Sequence, residues 1–157
     1  MINELVKRYP ALQSETESIE AAADALVSGF KNGKKLLVCG HGGSCADCEH
    51  IVGELMKGFL NKRPLSEKKK FEMKANCPEI SDEYLNRLQR AVPTVSLPSF
   101  TALNTAFCND VDPELVCAQP IMGFGQAGDM LMAISTSGNS KNVVAAALTA
   151  KALGLKT

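Results

Sequence analysis

A surplus of charge of either sign is missing from this chain: 17 Lys and Arg balance 17 Asp and Glu over 157 residues. Zero net charge leaves no electrostatic footprint for nucleic acid or another polyanion. Long apolar runs are also missing. No stretch is long and apolar enough to span a bilayer, and the N-terminus carries no apolar signal-peptide core. The expectation is a cytoplasmic protein with neither a membrane nor a nucleic-acid partner. Its six cysteines (Cys39, Cys45, Cys48, Cys77, Cys108 and Cys117) are then expected as thiols. There is no internal repeat. A hydrophobic content of 45% with 22% charged residues is ordinary for a globular protein, and the length suits one domain over residues 1–157.

What is present is an alternation of apolar runs and helical patterns. Ile2 to Phe30, within an N-terminal helical segment 1–33, is broken near Pro10 and punctuated by Asn32-Gly33. Lys35 to Cys39 reads as a strand. Ser44 to about Leu60 reads as a helix with Ile51, Leu55 and Phe59, flanked by Val52 and Met56, on its buried face. Asn61 to Val92 interrupts the rhythm with a basic run and reads as an insertion over 61–92, in which Tyr84, Leu85 and Leu88 could face a partner. Then come a strand over Pro93 to Leu97, a helix over Ser99 to Phe107, and a polar loop over Cys108 to Pro113. A helix from Glu114 towards Met122, a glycine-rich turn to Asp129, a strand to Ile134 and a helix over Lys141 to Leu153 complete the pattern. Strands alternating with helices predict an α/β fold with a central parallel sheet flanked by helices. Gly154 to Thr157 reads as a helix end running into another strand, so the expectation is a chain truncated after residue 157.

Two strand-to-helix junctions carry the chemistry. In Ile134-Ser135-Thr136-Ser137-Gly138-Asn139-Ser140, backbone N–H groups and a helix dipole converge where four hydroxyls (Ser135, Thr136, Ser137, Ser140) can add donors. A plain N-cap needs only one hydroxyl, so the pattern points to a phosphate site. Gly40-His41-Gly42-Gly43-Ser44 is the second loop. It lacks the full G-x-G-x-x-G fingerprint and the Lys-Ser/Thr ending of an NTPase loop, so no nucleotide cofactor is expected. Both loops could open onto the same carboxyl edge of the sheet.

On the helix after Gly43, Asp47, His50, Glu54 and Lys57 fall on one stripe. His50 and Glu54 at i and i+4 could share a proton or bind one metal ion; the alternative is an exposed, salt-bridged helix face. Cys39, His41, Cys45, Cys48 and His50 also suggest a zinc or redox cluster. Cys48 falls on the buried side of the helix, however, and the second half of a zinc finger is missing.

Taken together, Cys39-Gly40-His41-Gly42-Gly43-Ser44, His50-x-x-x-Glu54-Leu55, Asn109-Asp110 and Ser135 to Ser140 resemble the sugar isomerase (SIS) superfamily, and within it the phosphoheptose isomerases. The resemblance implies a three-layer α/β sandwich with a flavodoxin- or Rossmann-like sheet. It also implies a homotetramer whose active sites are shared between subunits. By position, Ser135, Thr136, Ser137 and Ser140 would bind the phosphate of a sugar, and Ser44 and Asp110 would contact its hydroxyls. Glu54 would move a proton between C1 and C2 through an enediol(ate). His50 and Glu54 would supply half of a Zn2+ site found in some members. The implied reaction interconverts sedoheptulose 7-phosphate and glycero-manno-heptose 7-phosphate.

Three departures stand out. His41 replaces an Asn, Gly58 replaces an active-site Arg for which Lys57 could substitute, and the helix bearing an acid His and a Gln is not in these residues. Other expectations on the same fold are a non-catalytic phosphosugar-binding regulator or replication-initiator-binding protein, and a phosphosugar lyase or etherase.

Overall fold

The apolar runs become three parallel strands in a computed structural model that describes residues 2–157. Strand β1 (Leu36–Cys39) lies between β2 (Thr94–Ser96) and β3 (Met130–Ala133), so the order is β2-β1-β3. Leu37 stands opposite Val95 on one side and Leu131 on the other.

A parallel sheet must be covered on both faces, and alternation along β1 shows how. Leu36 and Val38 point to one face, where they meet Leu26 and Phe30 of α2 (Thr16–Lys31) and Cys48, Ile51 and Leu55 of α3 (Gly43–Met56). Leu37 and Cys39 point to the other. There they join Ile121 of α7 (Ala118–Phe124) and Val143, Ala146 and Ala150 of α8 (Lys141–Ala152). The three-layer α/β sandwich follows directly. Each fully buried Leu or Ile on these faces contributes about 1.5–3 kcal/mol.

At the amino edge of the sheet, the buried Asp129 carboxylate ties β1 to β3. It accepts from the Lys35 ammonium, from the Lys35 backbone N–H at 3.1 Å and from the Gln126 N–H at 2.9 Å. Burial alone would raise this carboxyl, but the Lys35 and Gln126 donors hold it below its ordinary value.

Several elements differ from the pattern read in the sequence. Helix α3 stops at Met56 rather than Leu60, because Lys57 turns to an extended conformation. The Arg63 guanidinium then takes the Leu55 carbonyl at 2.7 Å and the Glu54 carbonyl at 3.3 Å, while Val92 N–H donates to Leu55. Phe59 therefore lies outside the helix and is 70% exposed, and Met56 is exposed as well. Helix α6 (Thr101–Asp110) runs through Asn109 and Asp110, read above as loop; no Gly or Pro interrupts it before Pro113. The segment from Pro113 begins as a short 3-10 turn, and α7 extends to Phe124.

Ile2–Arg8 forms α1, followed by a 3-10 turn from Pro10 to Glu15, so the break at Pro10 is found where expected. Residues 61–92 hold α4 (Glu67–Asn76) and α5 (Asp82–Arg87). The two ends of this excursion meet: Pro64 bridges Gln89, and Gln89 Oε1 accepts from the N–H groups of Gly58 and Arg63. Leu85 is fully buried rather than facing outward, whereas Tyr84 and Leu88 are exposed. After α8, Gly154 takes a left-handed turn, and Lys156 pairs in parallel with Met130, the start of a further strand position beside β3.

Candidate active site

Both chemistry-bearing loops leave the carboxyl ends of adjacent strands, and one glycine lets them touch. Gly40 is buried, and a Cβ there would lie 3.1 Å from the Ile134 carbonyl oxygen and 2.9 Å from that of Ser44. The Ile134 N–H in turn donates to the Cys39 carbonyl at 2.8 Å. The chain leaves β1 for β2 through one helical layer and returns past β1 to β3 through the other. That reversal opens a crevice at the carboxyl edge, where ligands of such sheets bind.

Within the hydroxyl loop, Ser135 Oγ lies 3.1 Å from Ser140 Oγ and 3.4 Å from Ser137 Oγ. Asn139 N–H donates to Ser137 Oγ at 3.2 Å, and Gly138 at φ +66° makes the turn that folds the loop back on itself. Ser140 occupies the N-cap position of α8, yet its hydroxyl makes no cap hydrogen bond and turns to Ser135 instead. The side-chain oxygens thus face one another across the first turn of α8, whose free N–H groups favour an anion. Thr136 is exposed at the rim. Lys141, next in the chain, is held by Glu114 at 2.8 Å, which raises its pKa.

On the glycine-loop side, a cleft of about 560 Å³ runs between Gly40, His41, Cys45, Asn104, Asn109 and Cys117. Ser44 is buried at the base of the glycine loop, in the first turn of α3. Asn109 reaches the cleft; the exposed Asp110 accepts from Asn109 Nδ2 at 2.7 Å. Sequence reasoning missed Cys117, whose Sγ is 3.2 Å from His41 Nε2. It lies far along the chain from any motif, and only the return of the fold past β1 brings it under the glycine loop.

His50 and Glu54 do share one side of α3, with Nε2 to Oε1 at 4.0 Å. That side is exposed, and ten residues of helix separate Ser44 from Glu54, about 15 Å of rise. Within one chain the two are not brought to the hydroxyl loop. Lys57 leaves the stripe altogether, its ammonium sitting 5.8 Å from the centre of the Phe59 ring. Arg63, a residue not singled out in the sequence, instead packs its guanidinium against the last turn beneath Glu54. Among the described residues no three His, Cys, Asp or Glu side chains converge to hold a metal. All six cysteines are free thiols, as expected.

The SIS domain family model matches residues 2–99 and 91–157. This chain belongs to the SIS domain family. Its curated relatives include the phosphoheptose isomerase of Shewanella denitrificans, 34% identical over 139 residues, which are 88% of this chain and 58% of that protein. The phosphoheptose isomerase of a Nitratiruptor species is 36% identical over 88% of this chain and 60% of its own length. The chain thus spans about three fifths of the length of these relatives. Among solved structures, the phosphoheptose isomerase of Francisella tularensis superposes with a TM-score of 0.70 at 27% identity, covering 99% of this chain and 70% of that one. The enzyme from Neisseria gonorrhoeae gives 0.60 at 26%, covering 99% and 72%. These likenesses agree with the SIS fold built above from the sheet order and the two helical layers.

Proposed function

We propose that this SIS domain is the substrate-binding part of a phosphosugar aldose–ketose isomerase of the phosphoheptose type, acting on sedoheptulose 7-phosphate. The observation that carries the reading is the hydroxyl loop: Ser135, Ser137 and Ser140 face one another at the start of α8, against the glycine loop. In this reading the phosphate sits among Ser135, Thr136, Ser137 and Ser140, and Ser44 and Asp110 serve the sugar hydroxyls. Glu54 takes the proton from C1 of the ketose or C2 of the aldose, forming an enediolate, and returns it to the neighbouring carbon. Phosphate contacts hold the reacting carbons against the base.

About 15 Å of helix between Ser44 and Glu54 supports an assembly in which one chain supplies the phosphate loop and another supplies Glu54. A homotetramer with shared sites, working in the cytoplasm, fits that division. No helix of the described residues is long and apolar enough to cross a membrane. A zinc ion bound here would take His50 and Glu54 as its ligands from this chain.

The exposure of Glu54 and the replacement of Asn by His41 favour one competing reading, a phosphosugar-binding SIS protein without turnover. Incubation with sedoheptulose 7-phosphate in D₂O, followed by NMR, separates the two. Product, or deuterium at C1 of the substrate, supports the isomerase. Phosphosugar binding with neither signal supports the binding protein.

A further inference from the structure

Cys39, His41 and Cys117 form a cluster that the isomerase reading does not use. Cys39 ends β1 with its side chain fully buried, and Cys117 precedes α7. Both pack in one buried cluster, and Cys117 Sγ lies 3.2 Å from His41 Nε2. His41 and Cys117 line the cleft, whereas Cys39 is sealed behind them. The arrangement therefore has an order: a thiol that reaches the cleft, a ring nitrogen beside it, and a second thiol in the same buried cluster on the protein side.

We propose that Cys117 and Cys39 are a hydroperoxide-reactive dithiol at the floor of the cleft, with His41 as the proton acceptor. His41 Nε2 takes the Cys117 thiol proton, and the thiolate attacks one oxygen of the hydroperoxide. The O–O bond breaks, and the departing oxygen collects a proton as water or alcohol, leaving Cys117 as the sulfenic acid. Cys39 then attacks the Cys117 sulfur. The S–O bond breaks, the hydroxide leaves as water with the Cys39 proton, and a Cys39–Cys117 disulfide remains. Two thiols have been oxidised and one peroxide reduced.

The electrostatics agree with this order. The hydrogen bond from Cys39 lowers the Cys117 pKa against the opposing effect of burial. That same bond and burial push Cys39 far above its ordinary value, so Cys117 ionises first and Cys39 keeps its proton until the second step. Desolvation lowers the His41 pKa, which keeps the ring neutral and able to accept a proton at neutral pH. The neighbouring thiols are poorer candidates: burial raises Cys45, and Cys48 is pushed up to about 11.

The test treats the whole chain with a few equivalents of hydrogen peroxide near pH 7, blocks the remaining thiols with N-ethylmaleimide, and maps peptides without reduction. The expected product is a Cys39–Cys117 linked peptide, formed before the exposed Cys77 and Cys108 are oxidised. Cys39→Ser should leave a Cys117 sulfenic acid that dimedone traps. His41→Asn should slow linkage by about tenfold or more. Wild-type protein in which Cys77 and Cys108 oxidise while Cys39 and Cys117 stay reduced would overturn the proposal, and this result needs no variant to fold. A linkage rate unchanged in His41→Asn would remove the proton-acceptor role.

Discussion

Gly40→Ala is the perturbation that asks most directly whether the two loops must touch. The added Cβ would lie 2.8 Å from Ser44 Cβ, 2.9 Å from the Ser44 carbonyl oxygen and 3.1 Å from that of Ile134. A comfortable carbon–oxygen contact is about 3.3–3.6 Å, so the Ile134 carbonyl must draw back by about 0.2–0.5 Å, and the Ser44 carbonyl, in the same glycine loop, by about 0.4–0.7 Å. Neither carbonyl is free to yield: Ser44 is in the first turn of α3, and Ile134 is bonded to Cys39. Overpacking of this kind costs about 1–3 kcal/mol, and the entropy gained by losing a glycine from the unfolded chain returns only about 0.4–1. The net expectation is a loss of about 1–2 kcal/mol, a fall in Tm of roughly 2–8 °C for a chain of this size. Phosphosugar affinity should fall by about tenfold, because the hydroxyl loop moves with Ile134. Gly43→Ala is the matched control: it stands three residues away with nothing within 4 Å of its Cβ, and should leave Tm unchanged or slightly raised. Thermal melts and calorimetric titration of both variants decide the matter. A Gly40→Ala protein that melts with the wild type, or a Gly43→Ala protein that falls as far, would refute the close-approach argument.

Replacing Ser137 and Ser140 by Ala removes two hydroxyls from the proposed phosphate site and should weaken binding of a sugar phosphate about a hundredfold or more, at about 1.5 kcal/mol or above per charged hydrogen bond; unchanged titration isotherms would take the phosphate from this loop. Glu54→Gln should abolish deuterium exchange into the substrate while leaving phosphosugar affinity within about twofold, and a matching loss of binding would remove the base assignment. Asp129→Asn should cost about 2–4 kcal/mol at pH 7, since it leaves the Lys35 ammonium at the sheet edge without its carboxylate. The Asp129 pKa is lowered on folding, so its contribution is complete above the ordinary carboxylate range. It is lost as pH falls from about 4 through the lower folded value. Urea midpoints of wild type and variant should therefore converge on acidification, and a gap that stays constant to pH 3 would contradict the assignment.

Local chemistry made much of this protein readable in one dimension. The four-residue apolar runs of β1 and β3, the hydroxyl loop before Lys141, the break at Pro10 and the turn at Gly33 depend on neighbours in the chain, and each lies where the pattern puts it. The parallel sheet between helices follows from the alternation of strands and helices, but its order β2-β1-β3 is set by crossovers that appear only in the fold. The end of α3 was only partly readable. Gly58, just past Lys57, is a local stop signal, and Arg63 and Val92 arrive from the 61–92 excursion to take the last carbonyls. Leu85, grouped by its pattern with Tyr84 and Leu88, is instead fully buried. The contact of Cys117 with His41 spans 76 positions, and no periodicity or spacing encodes a meeting made by the chain's return past β1. The separation of Glu54 from the hydroxyl loop is likewise a property of the fold. Spacing puts His50 and Glu54 on one side of a helix, but the packing of α3 on the sheet turned that side to solvent.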